Sequence, residues 1–312
     1  MSTLTVPAIK GDSTHRGEFM VVIAALLFGV NGTVSKLVLH AGIPPMRFTE
    51  IRSAGAFLCL VTYALIRRPS SLKIIRSQIG FLALYGIAGF AGVQVFYFIA
   101  ISRLPVGIGL LLEFTAPVLI TLYVRFVRKE KVKSRMWISL ILAISGLMLV
   151  AQIWKGLTLD GIGLVAGGLA SISLAIYFLL GEHGVGIRDT TSLTAWAFGF
   201  ATAFWLIVQP LWTFPIHLLS NQVSFGGQFT GHHAPLSLFI LVVILFGTVA
   251  PFVLVVGALR HTSPARTAMI GMLEPIFASI VAWWWIGESL TLFQIIGGVV
   301  VLTGIALAET AR

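Results

Sequence analysis

The 312-residue chain is 57% hydrophobic and only 10% charged, with a mean hydropathy of +0.98 and a net charge of +10. Soluble domains carry roughly 25% charged residues, so a cytosolic enzyme and a disordered chain are excluded, and the single cysteine, Cys59, excludes a disulfide scaffold. With so little polar surface, the positive charge does not read as a nucleic-acid footprint.

A bilayer core roughly 30 Å thick takes about 20 apolar residues as a helix, and the chain reads as ten such runs in succession. Residues 1–16 are polar and read as a tail. The run 19–39 is too long for a signal-peptide core and has no small-residue cleavage site after it, so it reads as a retained first span. Asn31, set between Gly29 and Gly32 and near Ser35 and Lys36, makes this span polar. It is a candidate to hydrogen-bond a ligand or a neighbouring helix. The second run, 49–66, is interrupted by Arg52, with Arg47 and Glu50 nearby. An arginine there either captures a substrate carboxylate or snorkels to the headgroups. The third run, 79–101, carries small residues from Gly86 to Gly92 and the amphipathic candidates Gln94 and Tyr97. The fourth, 106–124, holds Glu113 and Pro117.

A fifth run, 136–154, completes the first half. The second half has runs at 161–181, 193–212, 236–259, 265–286 and 290–308. The sixth contains Gly163-x-x-x-Gly167, a close-packing pattern, and Tyr177, a further ligand candidate. Residues 213–235 form a long loop without Lys or Arg. Its His232 and His233 have no Cys or carboxylate at metal-ligand spacing, so no metal is expected there. The ninth run holds Glu274 and Pro275 and ends on Trp283, Trp284 and Trp285, which read as an interfacial belt. The runs are continuous rather than alternating, and about twice the length a tilted strand needs, which excludes a β-barrel. The expected fold is an all-α membrane protein of ten transmembrane helices.

Of the 21 Lys and Arg, 16 fall in one set of alternate loops, six of them from Arg125 to Arg135. The other side holds only Lys36, Arg47, Arg52, Arg103 and Lys155. The positive-inside rule then places both termini in the cytoplasm, Lys10 and Arg312 included. The halves also resemble each other. Shifted by 158 residues, Ala100 falls on Ala258, Pro117 on Pro275, Glu130 on Glu288 and Gly146 on Gly304. Five spans per half is an odd number, so the second half enters upside down. This gives a 5+5 inverted repeat with units at 17–154 and 159–309. Inverted repeats recur in secondary transporters, whose substrate site lies near the midplane between the halves.

Glu113 and Glu274 are the two acids read as lying well inside spans, where charge is costly and functional by default. Under the repeat they fall three positions apart, on nearly the same face of mated helices. Pro117 and Pro275 each free a backbone carbonyl one turn earlier, which builds a local polar spot. A carboxyl group there is suited to carry a proton or to pair with a substrate ammonium; a structural hydrogen bond between helices is the alternative. The sequence has no Walker A motif, no nucleophile elbow and no clustered Asp, so neither an ATP-driven pump nor a cofactor is expected.

The stretch Pro105-Val-Gly-Ile-Gly-Leu-Leu-Leu-Glu113-Phe-Thr-Ala-Pro117, the mirrored Pro275…Glu288 and the glycine-rich closing spans resemble the drug/metabolite transporter superfamily. Within it the chain resembles the ten-helix bacterial exporters built from two EamA-type repeats, nearest the threonine/homoserine exporter branch, over about residues 17–309. The resemblance implies export of small amino acids or related metabolites across the inner membrane by alternating access, driven by proton exchange. Broad-specificity drug or metabolite efflux and a passive facilitator stay open as alternatives; no residue constellation supports a membrane enzyme. The expected partners are a small-molecule substrate, foremost an amino acid, protons and the lipid bilayer, with no nucleic acid.

Overall fold

The computed structural model describes residues 11–104, 106–154, 160–287 and 289–310. The sequence readings of Lys10, Pro105, Lys155, Glu288 and Arg312 fall outside them. Ten helices follow one another: helix 1 Gly11–His40, helix 2 Pro45–Arg67, helix 3 Arg76–Ile101, helix 4 in two pieces (Val106–Glu113 and Ala116–Phe126) and helix 5 Ser134–Ala151. Then come helix 6 Gly161–Ile187, helix 7 Thr190–Val208, helix 8 Leu236–Ala258, helix 9 Pro264–Ile286 and helix 10 Leu292–Glu309. Among the described residues nine are long and apolar enough to cross a membrane, and the tenth is a shorter apolar helix. Ile141, Val165, Ile207 and Val299 are each more than half exposed and belong to the lipid-facing surface of an all-α membrane protein.

The helix starts follow local chemistry. Helix 2 opens on Pro45, whose missing N–H costs nothing in a first turn, so it begins ahead of the expected residue 49. Asp160 caps helix 6 by accepting from the Gly163 N–H at 2.8 Å, and Asp189 caps helix 7 through the Ser192 N–H at 3.0 Å. Thr291 and Gln294 form a capping box at helix 10. Helix 1 starts at Gly11, so residues 11–16 of the expected tail are helical.

Contacts between the halves come in mated pairs. Helix 3 meets helix 6 where Gly89 faces Tyr177 and Gly92 faces Ser173; its mate, helix 8, meets helix 1 where Gly247 faces Asn31 and Gly257 faces Met20. Helices 3 and 8 each carry a π-helical segment, Tyr85–Ala91 and Leu245–Val249. Helices 4 and 9 are each broken, at Phe114-Thr115 and Met272-Leu273. Helices 5 and 10 pack antiparallel through glycine: a Cβ on Gly146 would lie 2.7 Å from the Gly297 carbonyl oxygen. The 158-residue offset relates Val106 to Pro264 and Ser134 to Leu292. It fails for helices 1 and 2 because residues 209–235 are a longer connection than their mate, 68–75. That longer connection holds an antiparallel hairpin, Gln222–Ser224 with His233–Pro235. Trp285 Nε1 donates to the Phe225 carbonyl at 2.8 Å and ties the hairpin to helix 9. The exposed aromatic belt is therefore Trp283 and Trp284 rather than all three tryptophans.

Helices 2 and 7 are clasped at both ends by arginines at corresponding places. Arg47, at the start of helix 2, donates to the Pro210 carbonyl at 3.0 Å and to Thr213 Oγ1, just after helix 7. Arg188, just before helix 7, donates to the Ser71 carbonyl at 2.6 Å and the Lys73 carbonyl at 3.1 Å, just after helix 2, and to Gln78 Oε1 at 2.6 Å. Near Arg188 the face is strongly basic: burial, Arg16 and Arg260 hold the His261 imidazole below its ordinary value. Because a guanidinium forks where an ammonium cannot, Arg188→Ala and Arg188→Lys should both lower stability, the first by about 2 kcal/mol. Thermal unfolding in detergent measures this; an unchanged midpoint for Arg188→Ala would show the clasp to be idle.

Candidate functional site

The two breaks set the site. Pro117 cannot donate to the Glu113 carbonyl, and Pro275 cannot donate to that of Gly271, so each helix opens one turn before its proline. Glu113 is the last residue of the first half of helix 4. Glu274 is the first residue of the second half of helix 9, where the positive end of a helix dipole favours a carboxylate. Discontinuous helices with their ends at a shared midplane are how membrane transporters place polar groups around a substrate.

Two joined chambers lie between the halves. The inner chamber, about 240 Å³, is lined by Asn31, Arg52, Gln94, Tyr97, Glu113, Pro117, Tyr177 and Glu274. The second, about 510 Å³, is lined by Arg52, Tyr97, Glu274 and Pro275 together with Thr33, Ser35 and Lys36. It lies toward the ends of helices 1, 3 and 5 farthest from the chain termini. Arg52, Tyr97 and Glu274 mark the junction, since they line both. All seven polar residues singled out from the sequence are thus brought around one cavity.

Arg52 does not snorkel to the surface. Its Nε donates to Thr248 Oγ1 at 3.0 Å, its Nη2 to the Gly247 carbonyl at 3.3 Å, and its guanidinium stacks on Phe48 at 5.3 Å. The π-helical segment of helix 8 makes this possible: Thr248 bonds back five residues to the Val243 carbonyl at 3.0 Å, and the widened turn turns Gly247 and Thr248 toward helix 2. Arg52 Nη1 keeps donors without a partner among the described residues. Glu113 and Glu274 make no hydrogen bond or ion pair among the described residues, although Glu274 lies within electrostatic range of both Arg52 and Glu113, and Tyr97 within range of both acids. Asn31 Oδ1 accepts from Ser35 Oγ at 3.3 Å and packs on Gly247. Gln94 Nε2 donates to the Phe90 carbonyl at 3.3 Å, while its Oε1 is buried without a partner. Tyr177 is 4% exposed and stands among Tyr85, Phe90 and Phe252.

The EamA-like transporter family profile matches residues 15–152 and matches again over 161–310. The chain belongs to the EamA-like transporter family. A transporter of Archaeoglobus fulgidus, described as uncharacterized, is 27% identical over 94% of this chain and 96% of its own length. The threonine/homoserine exporter RhtA of Escherichia coli K12 is 25% identical over 85% of this chain and 82% of its own. An inner membrane transporter of Salmonella typhimurium, YicL, also described as uncharacterized, is 21% identical over 95% of each chain. A solved protein structure aligns with a TM-score of 0.73 at 16% identity, over 95% of this chain and 97% of that one, which speaks to the fold. The chain is a multi-pass membrane transporter.

The sequence reading of the acids in this EamA-family chain needs a correction. Glu113 and Glu274 are not the only acids inside helices. Glu50 is fully buried in helix 2, with Oε2 at 2.8 Å from Arg47 Nη1 and Oε1 unpartnered, and Glu182 lies inside helix 6, at 2.5 Å from Arg128. Glu50 stands at the very start of the expected run 49–66, and Glu182 just past the expected run 161–181, because paired charges let a helix run past its apolar core. The i,i+3 spacing of Arg47 and Glu50 was the available signal. Gly247 and Thr248, which hold Arg52, were missed, and so was the aromatic wall around Tyr177.

Proposed function

We infer that this transporter exports amino acids or related zwitterionic metabolites by alternating access in exchange for protons. The observation that carries the reading is one arginine and two unpartnered carboxylates on a single cavity at the joint of two broken helices. A zwitterion needs both charges met at close range, because neither is solvated once bound. The open Nη1 of Arg52 suits a substrate carboxylate, and Glu113 suits the substrate ammonium. A proton on Glu113 and an ammonium beside it exclude each other, so loading one releases the other; this competition is the exchange step. Glu274, within electrostatic range of Arg52 and of Glu113, keeps Arg52 compensated when the cavity is empty. The resemblance to RhtA supports amino acids as the substrate class, and the excess of basic residues on the side of the termini supports a cytoplasmic placement of that side.

The test is flux of radiolabelled amino acids in proteoliposomes with and without an imposed pH gradient, for the wild type and Arg52→Lys. Flux driven by the gradient is expected. Lysine loses the bonds to Gly247 and Thr248, and KM is expected to rise roughly 10- to 100-fold. Flux that ignores the gradient would make the protein a facilitator, and an unchanged KM would remove Arg52 from the carboxylate site.

A further inference from the structure

Beyond the junction, the inner chamber changes character. Phe90, Leu174, Tyr177 and Phe252 line this chamber and not the second one, so they lie away from the end that Arg52 and Glu274 share. The rings hold one another: Phe90 meets Tyr177 and Phe252 at 5.1 Å each, and Phe28 meets Phe252 edge-on at 5.3 Å. Interlocked rings of this kind make a stiff apolar wall. Of the polar groups on the chamber, Thr267 bonds the Ser263 carbonyl at 3.0 Å and Gln94 Nε2 bonds the Phe90 carbonyl at 3.3 Å, while Gln94 Oε1 is left without a partner among the described residues. Gly271, the repeat position that corresponds to Glu113, lines the same chamber and, like the wall, not the second one. A Cβ there would meet nothing within 4 Å, so the glycine leaves open space in the chamber rather than a close helix contact.

We propose that this aromatic wall and the space at Gly271 form a side-chain subsite that selects amino acids with bulky apolar side chains, aliphatic or aromatic, over small hydroxylated ones. The inference rests on the amino-acid reading above. With the carboxylate on Arg52 and the ammonium on Glu113, the side chain is left to point at the wall. A large apolar group there gains contact with the rings and leaves little of the chamber empty. A small hydroxylated side chain leaves most of the wall uncontacted and forgoes that apolar contribution. Discrimination by apolar contact is moderate, on the order of 10- to 100-fold.

The experiment is a competition panel in proteoliposomes: phenylalanine, leucine and methionine against threonine, homoserine and alanine, for the wild type, Gly271→Val and Gly271→Leu. In the wild type the first three are expected to move at least 10-fold better in kcat/KM than threonine. In the Gly271 variants the phenylalanine-to-alanine ratio is expected to fall at least 10-fold, more for Leu than for Val, because the added side chain occupies the subsite. The wild-type ranking stands even where a variant does not fold. A wild type that prefers threonine or homoserine overturns the subsite while leaving amino-acid export intact. Equal loss for all substrates in a folded Gly271 variant overturns the assignment of Gly271. Absence of flux for every amino acid overturns the amino-acid reading, and the subsite with it.

Discussion

Glu113→Gln is expected to lower proton-driven flux by roughly 100-fold or more while the protein still folds and unfolds at nearly the wild-type temperature. The separation of the two effects is the informative part. A structural carboxyl that bridges helices would cost stability when altered, since its partners are left unsatisfied inside the membrane. Glu113 has no such partner among the described residues, and its carboxylate faces the inner chamber. Glutamine fills the same space and keeps a polar surface toward the cavity, so packing is conserved. What it cannot do is bind and release a proton, or neutralise an ammonium. Everted vesicles report the flux and a thermal melt reports the fold. Undiminished proton-driven transport would end the role of Glu113, and a large fall in melting temperature would make it a structural group.

The second large effect falls at the contact between helices 5 and 10. Gly146→Val is expected to cost about 3 kcal/mol, the upper end of the usual overpacking range, and to remove most of the monodisperse protein on size exclusion in detergent. Helices 5 and 10 approach so closely that a Cβ on Gly146 would stand 2.7 Å from the Gly297 carbonyl and 2.7 Å from the Val301 nitrogen. Those are backbone atoms, which cannot swing aside as a side chain does. Helix association in a bilayer depends on close packing because lipid tails are as apolar as the side chains they replace. Gly298 is the matched control: it adjoins Gly297 on the same helix, but a Cβ there meets nothing within 4 Å. Gly298→Ala is expected to be neutral or to stabilise slightly, since alanine is the better helix former. Equal behaviour of the two variants would show that the tight contact does not hold the halves together.

These two residues also show what could be read from the chain alone. The apolar runs were legible because a bilayer offers its backbone no other partner, so each run of sufficient length must be a helix. The repeat was legible through Pro117 and Pro275 and through Gly146 and Gly304, positions where the backbone demands one residue type. Glu113 and Glu274 were legible because charge is scarce in a chain that is 10% charged. The caps at Asp160, Asp189 and Thr291 follow ordinary local rules.

The partners were not legible, and the reason is physical. Whether Arg52 reaches lipid headgroups or turns inward depends on Gly247 and Thr248, which are 195 and 196 residues away and are aimed at it only by a π-helical turn. Whether Glu50 counts as buried depends on Arg47 and on the loop after helix 7 that holds Arg47 in place. Tyr177 joins an aromatic wall because antiparallel packing of helices 3 and 6 sets it against Gly89. Hydropathy and spacing act along the chain, so the sequence by itself determined ten membrane helices, their duplication and the two acids at the breaks. Contacts between helices act across the chain, and only the tertiary structure decided which of those polar groups share a cavity, which are paired, and which remain open to a substrate.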